Sequence, residues 1–493
     1  MSHAQGLYSV AQVRAFDAHA IDVLGVPGIT LMERAGEAAL GVLRERWPAA
    51  RRIAIVCGGG NNGGDGYILG ARARAAGLEV SLLALVDPAQ LRGDARLAAG
   101  RYSAARGIVQ SFAPAALKGA DLIVDALLGT GLREPPRAEF AAAIDAMNGA
   151  GLPILALDLP SGLDGDRGRA PGAVVRAAAT VTFVARKIGL YVGNGADYTG
   201  HICLDDLGVI PPQDDTATPA LELLATAEIA RALPPRPRAA HKGDFGRVLI
   251  IAGGPGMAGA ARLAGEGALR SGAGLVTIAT SPENVAAIIA GRPELICHGV
   301  RSVDELAPLL AAATVVAIGP GLGTGAWSRM VLDAALVATK PLVIDADALN
   351  MLAASGLRPP SVSVLTPHPG EAARLLKTDT ASIQSDRRAA VAQLVELTGA
   401  VVVLKGAGSL VGAPGRRTAL CAEGNAGMAA PGMGDVLTGA IAAILGQCAD
   451  PWLAARAGVL VHALAGDEVA SRGGQRGILA LEVAAALRHW VNP

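Results

Sequence analysis

The sequence predicts a two-domain α/β protein, and three observations carry that expectation. Short runs rich in Val, Ile and Leu alternate with Ala-rich amphipathic segments, the alternation lapses once and resumes, and glycine-rich loops follow the apolar runs. Continuous apolar strands separated by helices form parallel sheets covered on both faces. The 493-residue length agrees, since one core rarely organises more than about 250–300 residues.

Composition narrows the class further. Apolar residues make up 51%, charged residues 17% and aromatics 3%, with 64 glycines, a composition suited to helices pressed closely on sheets. The 43 basic and 43 acidic residues cancel, so no global field advertises nucleic acid or an acidic membrane surface. Five scattered cysteines without CxxC spacing argue against a disulfide framework or a zinc site and fit a reducing compartment. The start, MSHAQGLYSVAQVRAFDAHA, lacks the basic-then-apolar pattern of a secretory signal. The longest uncharged stretch, residues 306–328, is broken by GPGLGTG, so a soluble cytoplasmic protein is expected.

In the first half the predicted strands lie in RRIAIVC, GLEVSLLALV, ADLIVDALL and GLPILALDLP. The rhythm stops in GVIPPQDDTATPALE, where Pro211, Pro212 and Pro219 stand among Asp and Thr; domains at about 1–215 and 220–493 are therefore expected. A second alternation runs through FGRVLIIAGG, GLVTIAT, ATVVAIGPGLG, PLVIDADAL, SVLTPHPGE and VVVLKGAG.

Three strand ends of the first domain carry polar loops: GGGNNGGDG at 58–66, VDALLGTGLREPPR with Asp125, and LDLPSGLDGD with Asp158 and Ser161. The first has the strand, glycine turn and helix order of phosphate sites, without GxGxxG spacing or a P-loop lysine. Taken singly, each Asp reads equally well as a loop cap. Ligands in open α/β sheets bind outside the C-terminal strand ends, so the three loops should converge.

Together these motifs resemble the N-terminal domain of the NAD(P)H-hydrate epimerases, with a Rossmann-like doubly wound sheet. The resemblance implies that Asn61, Asn62, Gly63, Gly64 and Asp65, with Gly129, Thr130, Gly131, Leu132, Arg133, Glu134 and Pro135, hold the hydrated dinucleotide together with Asp158. It implies that Asn62, Asp125 and Ser161 coordinate K+, an oxygen-only set that suits a hard cation. Asp158 is the expected proton-transfer group, because inverting the hydroxyl-bearing carbon needs proton exchange beside it.

In the second domain, GGPGMAGA at 253–260 and GPGLGTG at 319–325 lie between strands and helices. Asp345 and Asp347 of DADAL, and His368 and Glu371 of TPHPGEAARLL, stand at two further strand ends. His368 lies between two prolines, which hold it rigidly. Lys405 precedes Gly406, Ala407, Gly408 and Ser409, where an ammonium and free N–H groups could meet phosphates. Asp435 sits in PGMGDVLTGAIAAIL, small residues leading into an uncharged helix. A helix N-terminus offers unpaired N–H groups and a positive dipole end, an anion cradle with a carboxylate at its lip; a lone GxGD would equally cap a helix.

These motifs resemble the ADP- or ATP-dependent NAD(P)H-hydrate dehydratases of the ribokinase-like superfamily, a three-layer α/β/α fold. The resemblance implies that Ala260, Gly323, His368 and Asp435 contact the hydrated dinucleotide. Lys405, Gly406, Ala407, Gly408 and Ser409, with Gly434, would hold the adenine nucleotide, with Mg2+ on its phosphates. Asp435 would accept the substrate hydroxyl proton, turning that hydroxyl into a phosphate leaving group. Hydration creates a stereocentre, so a dehydratase of one epimer needs an epimerase to salvage the other. NADHX and NADPHX are thus the expected substrates and ADP the expected co-substrate, with ATP as the alternative. Small-residue helix faces suit a homo-oligomer. The competing expectation is a ribokinase-like kinase of a hydroxymethyl heterocycle or sugar, fused to a non-catalytic nucleotide- or RNA-binding domain.

Overall fold

The structure, a computed structural model, describes residues 5–132 and 134–492. It divides into two compact units between Leu221 and Glu222. The Pro- and Asp-rich stretch before this point is docked on the first unit: Gln12 Nε2 donates to the carbonyls of Thr216 (2.9 Å) and Thr218 (2.7 Å). Gln12 also closes a capping box with Ser9, which starts the helix Val10–Ala18.

The first unit is built on a parallel seven-stranded sheet in the order Val109–Ser111, Glu79–Ala84, Arg52–Cys57, Leu122–Ala126, Ile154–Leu157, Ala179–Phe183 and His201–Asp205. The chain winds outward from Arg52–Cys57 in one direction and then from Leu122–Ala126 in the other, so the switch point lies between these two strands. A crevice for ligand forms at such a point. Both central strands are buried on both faces, which explains their unbroken apolar runs. Helices Gly28–Arg46, Asn61–Ala75 and Gly93–Ala104 pack one face and Ala138–Gly149 the other.

The second unit has seven parallel strands in the order Ile296–Gly299, Leu275–Thr280, Arg247–Ile251, Val315–Ile318, Leu342–Ile344, Val364–Leu365 and Val401–Leu404. Ser409–Gly412 and Ala419–Cys421 then extend the sheet antiparallel. Here the winding reverses between Arg247–Ile251 and Val315–Ile318. Helices cover both faces, giving three layers. The helix Met433–Cys448 is buried along residues 436–445, so its lack of charge follows from a position inside the core. It lies close to the helix Ala258–Arg270: a Cβ on Gly439 would stand 1.9 Å from the Ala264 carbonyl oxygen, so glycine is required there. No helix among the described residues is long and apolar enough to cross a membrane.

Candidate active sites

In the first unit, the loops after Arg52–Cys57 and Leu122–Ala126 meet at the switch point. The helix Asn61–Ala75 begins at Gly60 with no side-chain cap, leaving its first N–H groups to other partners. Asn62 Nδ2 donates to the Leu128 carbonyl (3.0 Å). The Ser161 hydroxyl donates to Asp125 Oδ1 (2.6 Å) and accepts from the Leu128 N–H (2.8 Å), while the Ser161 N–H donates to Asp125 Oδ2 (2.8 Å). Asn62, Asp125 and Ser161 thus come together around one peptide, all buried. Asn62 Oδ1 is buried without a hydrogen-bond partner, and a buried acceptor left bare costs about 1–3 kcal/mol. Burial pushes the Asp125 carboxyl up to about 6, against the opposing bonds from Ser161 and Leu127.

A cavity of about 750 Å³ opens beside this cluster. Asn61, Asn62, Asp65, Gly129, Thr130, Gly131 and Asp158 line it. Gly63 and Gly64 do not: they are buried in packing, where a Cβ on Gly63 would meet the Gly58 carbonyl at 2.1 Å and one on Gly64 the Met32 sulfur at 2.5 Å. Leu132, Glu134 and Pro135 are also absent from the wall, and Arg133 lies outside the described residues.

Asp158 sits at φ 65°, a left-handed conformation that Asp tolerates better than most residues. It is ion-paired with Lys187, whose ammonium also donates to the Phe183 carbonyl (2.7 Å) and Thr182 Oγ1 (3.1 Å). Lys187 and Asp17 line the same cavity, and motif reading singled out neither. Lys187 belongs to a two-residue strand, Arg186–Lys187, and Asp17 to an amphipathic helix; neither context has the spacing of a site.

In the second unit the strand-end loops converge on the N-terminus of Met433–Cys448. Asp345, at the start of the helix Ala346–Ser355, is 1% exposed. Its Oδ1 accepts from Lys405 Nζ (2.6 Å) and its Oδ2 from the Thr438 hydroxyl (2.8 Å), one turn beyond Asp435. Lys405 also faces Glu371 Oε2 at 3.9 Å. The ammonium expected to be free for phosphates is therefore held among carboxylates. A Cβ on Gly434 would lie 3.2 Å from Lys405 Nζ, so glycine there keeps the lysine against the helix start.

Asp435 lies in the first turn of that helix, whose N-cap is Gly432 at φ 86°. Burial and then Asp345 push its carboxyl up to about 7, against the pull of Lys405. Burial likewise raises Glu371 to about 7. His368 caps the helix Pro369–Leu376, with its Nδ1 accepting from the Gly370 N–H (3.0 Å), and Glu371 caps back on the His368 N–H (2.7 Å). Burial and the Lys405 charge hold the imidazole pKa below its usual value. Gly323, at φ 73°, donates its N–H to Asp347 (2.7 Å), linking the GPGLG and DADAL loops. Ala260 packs beside Gly321, where a Cβ would come within 2.8 Å of its own.

The loop at 405–409 is closed by Ser409, whose hydroxyl donates to the Gly406 carbonyl (2.9 Å). Gly406 and Gly408 adopt φ 139° and 64°, while Ala407 is exposed at the tip. Beneath it the buried Arg387 donates to the carbonyls of Leu404 and Lys405, both at 3.2 Å. Asp345, Glu371, Thr438 and Arg387 complete the second site. DADAL and TPHPGE display the first two and PGMGDVLTG contains Thr438 without singling it out, while Arg387 carries no motif signal.

The family model described as NAD(P)H-hydrate dehydratase matches residues 248–488, and that of the YjeF-related protein N-terminus matches residues 28–189. A bifunctional NAD(P)H-hydrate repair enzyme of Escherichia coli is 45% identical over 481 residues, covering 98% of this chain and 93% of that protein. Its counterpart from Coxiella burnetii is 44% identical over 490 residues, 99% of each chain. Among solved structures, a ribokinase-like superfamily protein of Enterococcus faecalis is 28% identical with a TM-score of 0.51, covering 55% of this chain and 95% of that one.

Proposed function

The chain belongs to the family of bifunctional NAD(P)H-hydrate repair enzymes, and from that membership we propose how its residues divide the work. It combines an NAD(P)H-hydrate epimerase with an NAD(P)H-hydrate dehydratase; a sugar or heterocycle kinase with a non-catalytic partner domain is not favoured. The cavity over Asn61, Asn62, Asp65, Gly129, Thr130 and Gly131 receives the hydrated dinucleotide, and Asp158 serves as the proton-transfer group beside the hydroxyl-bearing carbon. At the second site the dinucleotide lies against Ala260, Gly323, His368 and Asp435, with an adenine nucleotide over Gly406, Ala407, Gly408, Ser409 and Gly434 beside Lys405.

The observation that carries this reading is the setting of Asp435. A carboxylate in the first turn of a buried helix, its pKa near neutrality, can take a hydroxyl proton while the helix N–H groups hold charge on a phosphoryl group. Phosphorylation converts a poor leaving group into phosphate, and elimination restores the dihydronicotinamide. ADP is the proposed donor, leaving AMP and phosphate.

Potassium fits the first unit: bare Asn62 Oδ1, Asp125 and Ser161 supply buried oxygens alone. There it would neutralise buried charge and order the cavity wall. No cluster of three His, Cys, Asp or Glu among the described residues could hold a metal. Mg2+ is therefore proposed to arrive on the nucleotide phosphates, where it neutralises their charge.

Purified protein given mixed hydrate epimers with ADP or ATP tests the whole reading through the near-UV absorbance of reduced cofactor. A fast phase for one epimer followed by a slow phase for the other is expected. A stable phosphorylated product would instead return the kinase reading.

A further inference from the structure

The proton chemistry assigned to Asp158 leaves Asp17, a carboxyl group of the same cavity, without a task. Lys187 is 1% exposed, and its three N–H bonds are all used, on Asp158, Thr182 and Phe183. Those bonds fix the side chain and leave no N–H for a substrate. The cavity wall also carries four carboxyl groups, Asp158, Asp17, Asp65 and Asp94, and a second basic side chain, Arg14. Burial pushes the Asp17 carboxyl up to about 6; Lys187 pulls it down and Asp158 pushes it up. Asp65 is also raised, by burial and then by Asp158 and Asp17. Lys187 donates to Asp158 and not to Asp17 or Asp65, so burial favours the protonated form of those two.

We propose that Asp17 is a second catalytic residue of the epimerase site, the acid that complements the Asp158 base across the same cavity, with Lys187 as the positioning residue that holds Asp158. The proposal rests on the reading of this cavity as the epimerase site. Two carboxyl groups driven to opposite protonation states are the usual means of presenting an acid and a base together. Asp17 gives its proton to the substrate hydroxyl. The C–O bond breaks with its electron pair leaving on water, and the lone pair of the adjacent ring nitrogen closes a C=N bond. Water adds to the opposite face of that carbon, the C=N pair returns to nitrogen, and the proton lost by the water passes to Asp158. One proton has moved from Asp17 to Asp158, and exchange with solvent resets the pair. Nothing is oxidised or reduced.

The test uses the full-length protein, mixed epimers and ADP, with the fast dehydration phase as internal control. The slow phase, corrected for the enzyme-free rate, reports epimerisation. Asp17→Asn is expected to slow it by about a hundredfold and leave the fast phase intact. In the wild type the slow phase should weaken as pH rises beyond about 6, where Asp17 loses its proton. Lys187→Met removes a charge that lowers the Asp17 pKa, so this limb should move to higher pH, whereas Lys187→Arg should hold it near the wild-type position. A purely structural lysine would change the rate without moving the limb. If Lys187→Met fails to fold, Lys187→Arg and the Asp17→Asn profile still decide the matter. An unchanged slow phase in Asp17→Asn, with loss in Asp158→Asn, overturns the acid assignment and spares the site. An unchanged slow phase in Asp158→Asn sinks the reading of the site itself. Disappearance of the limb in Asp65→Asn, with its retention in Asp17→Asn, gives the role to Asp65 and overturns the proposal.

Discussion

Lys405 holds its ammonium 2.6 Å from Asp345 Oδ1, and the other oxygen of that carboxylate accepts from Thr438 on the helix that carries Asp435. Two strand ends and the helix of Asp435 are thereby stitched through one buried carboxylate. Removing the cation leaves Asp345 and Glu371 facing each other without compensation. Lys405→Met is therefore expected to abolish dehydration, seen as loss of cofactor recovery with ADP, while epimerisation by the other unit persists. Its side chain is 18% exposed, so the stability cost should fall below the ~3–5 kcal/mol of a fully buried broken pair, measured as a lower unfolding midpoint.

The Asp435 carboxyl, raised to about 7, has to be ionised to accept a proton. Dehydration should rise with pH through about 7, and Asp435→Asn should lower it by at least about a hundredfold. Stability runs the other way. A carboxyl whose folded pKa exceeds its unfolded value of 3.8 lends stability that is complete below 3.8 and lost as pH climbs through about 7. Asp435→Asn should thus melt above the wild type at pH 8, and the difference should shrink on acidification.

The strands IAIVC, LIVDA and VVAI are legible because burial on both faces makes them apolar throughout, except for Asp125 near the end of LIVDA, where the site begins. Val109–Ser111 and Ile296–Gly299 escape the pattern: each lies at a sheet edge, and their composition is mixed. The same contrast governs the sites. Asn62, Asp125 and Ser161 stand at strand ends and Asp435 at a helix start, all in or beside glycine-rich stretches where backbone demands leave a mark. Lys187 and Arg387 act through distant partners, and a buried cation on a short strand or a helix looks like any surface basic residue until the chain folds. Gly63 and Gly64 read two ways, because close helix packing and ligand approach both select glycine.

Asn62 Oδ1 lacks a partner in a buried pocket it shares with Asp125 and Ser161. If K+ supplies that partner, replacing KCl by choline chloride at constant ionic strength should lower both the unfolding midpoint and the slow epimerisation phase. Asn62→Leu keeps the volume and removes the oxygen. The variant should lose the K+ dependence of its melting, and a K+ response equal to that of the wild type would count against this ligand set.

Arg387 separates nucleotide binding from chemistry. It is buried, donates to two carbonyls of the loop around Lys405, and burial holds its pKa down at about 10, so its charge costs desolvation and is retained at neutral pH. Its planar fork reaches Leu404 and Lys405 with one nitrogen while the other nitrogen meets Gln384 (2.9 Å). A lysine carries the charge without that geometry. Arg387→Lys should raise the KM for ADP by about tenfold, the equivalent of ~1.4 kcal/mol, with kcat little changed, because Asp435 and its helix are untouched. A matching fall in kcat at constant KM would mean that the loop positions the transferring group rather than the nucleotide as a whole.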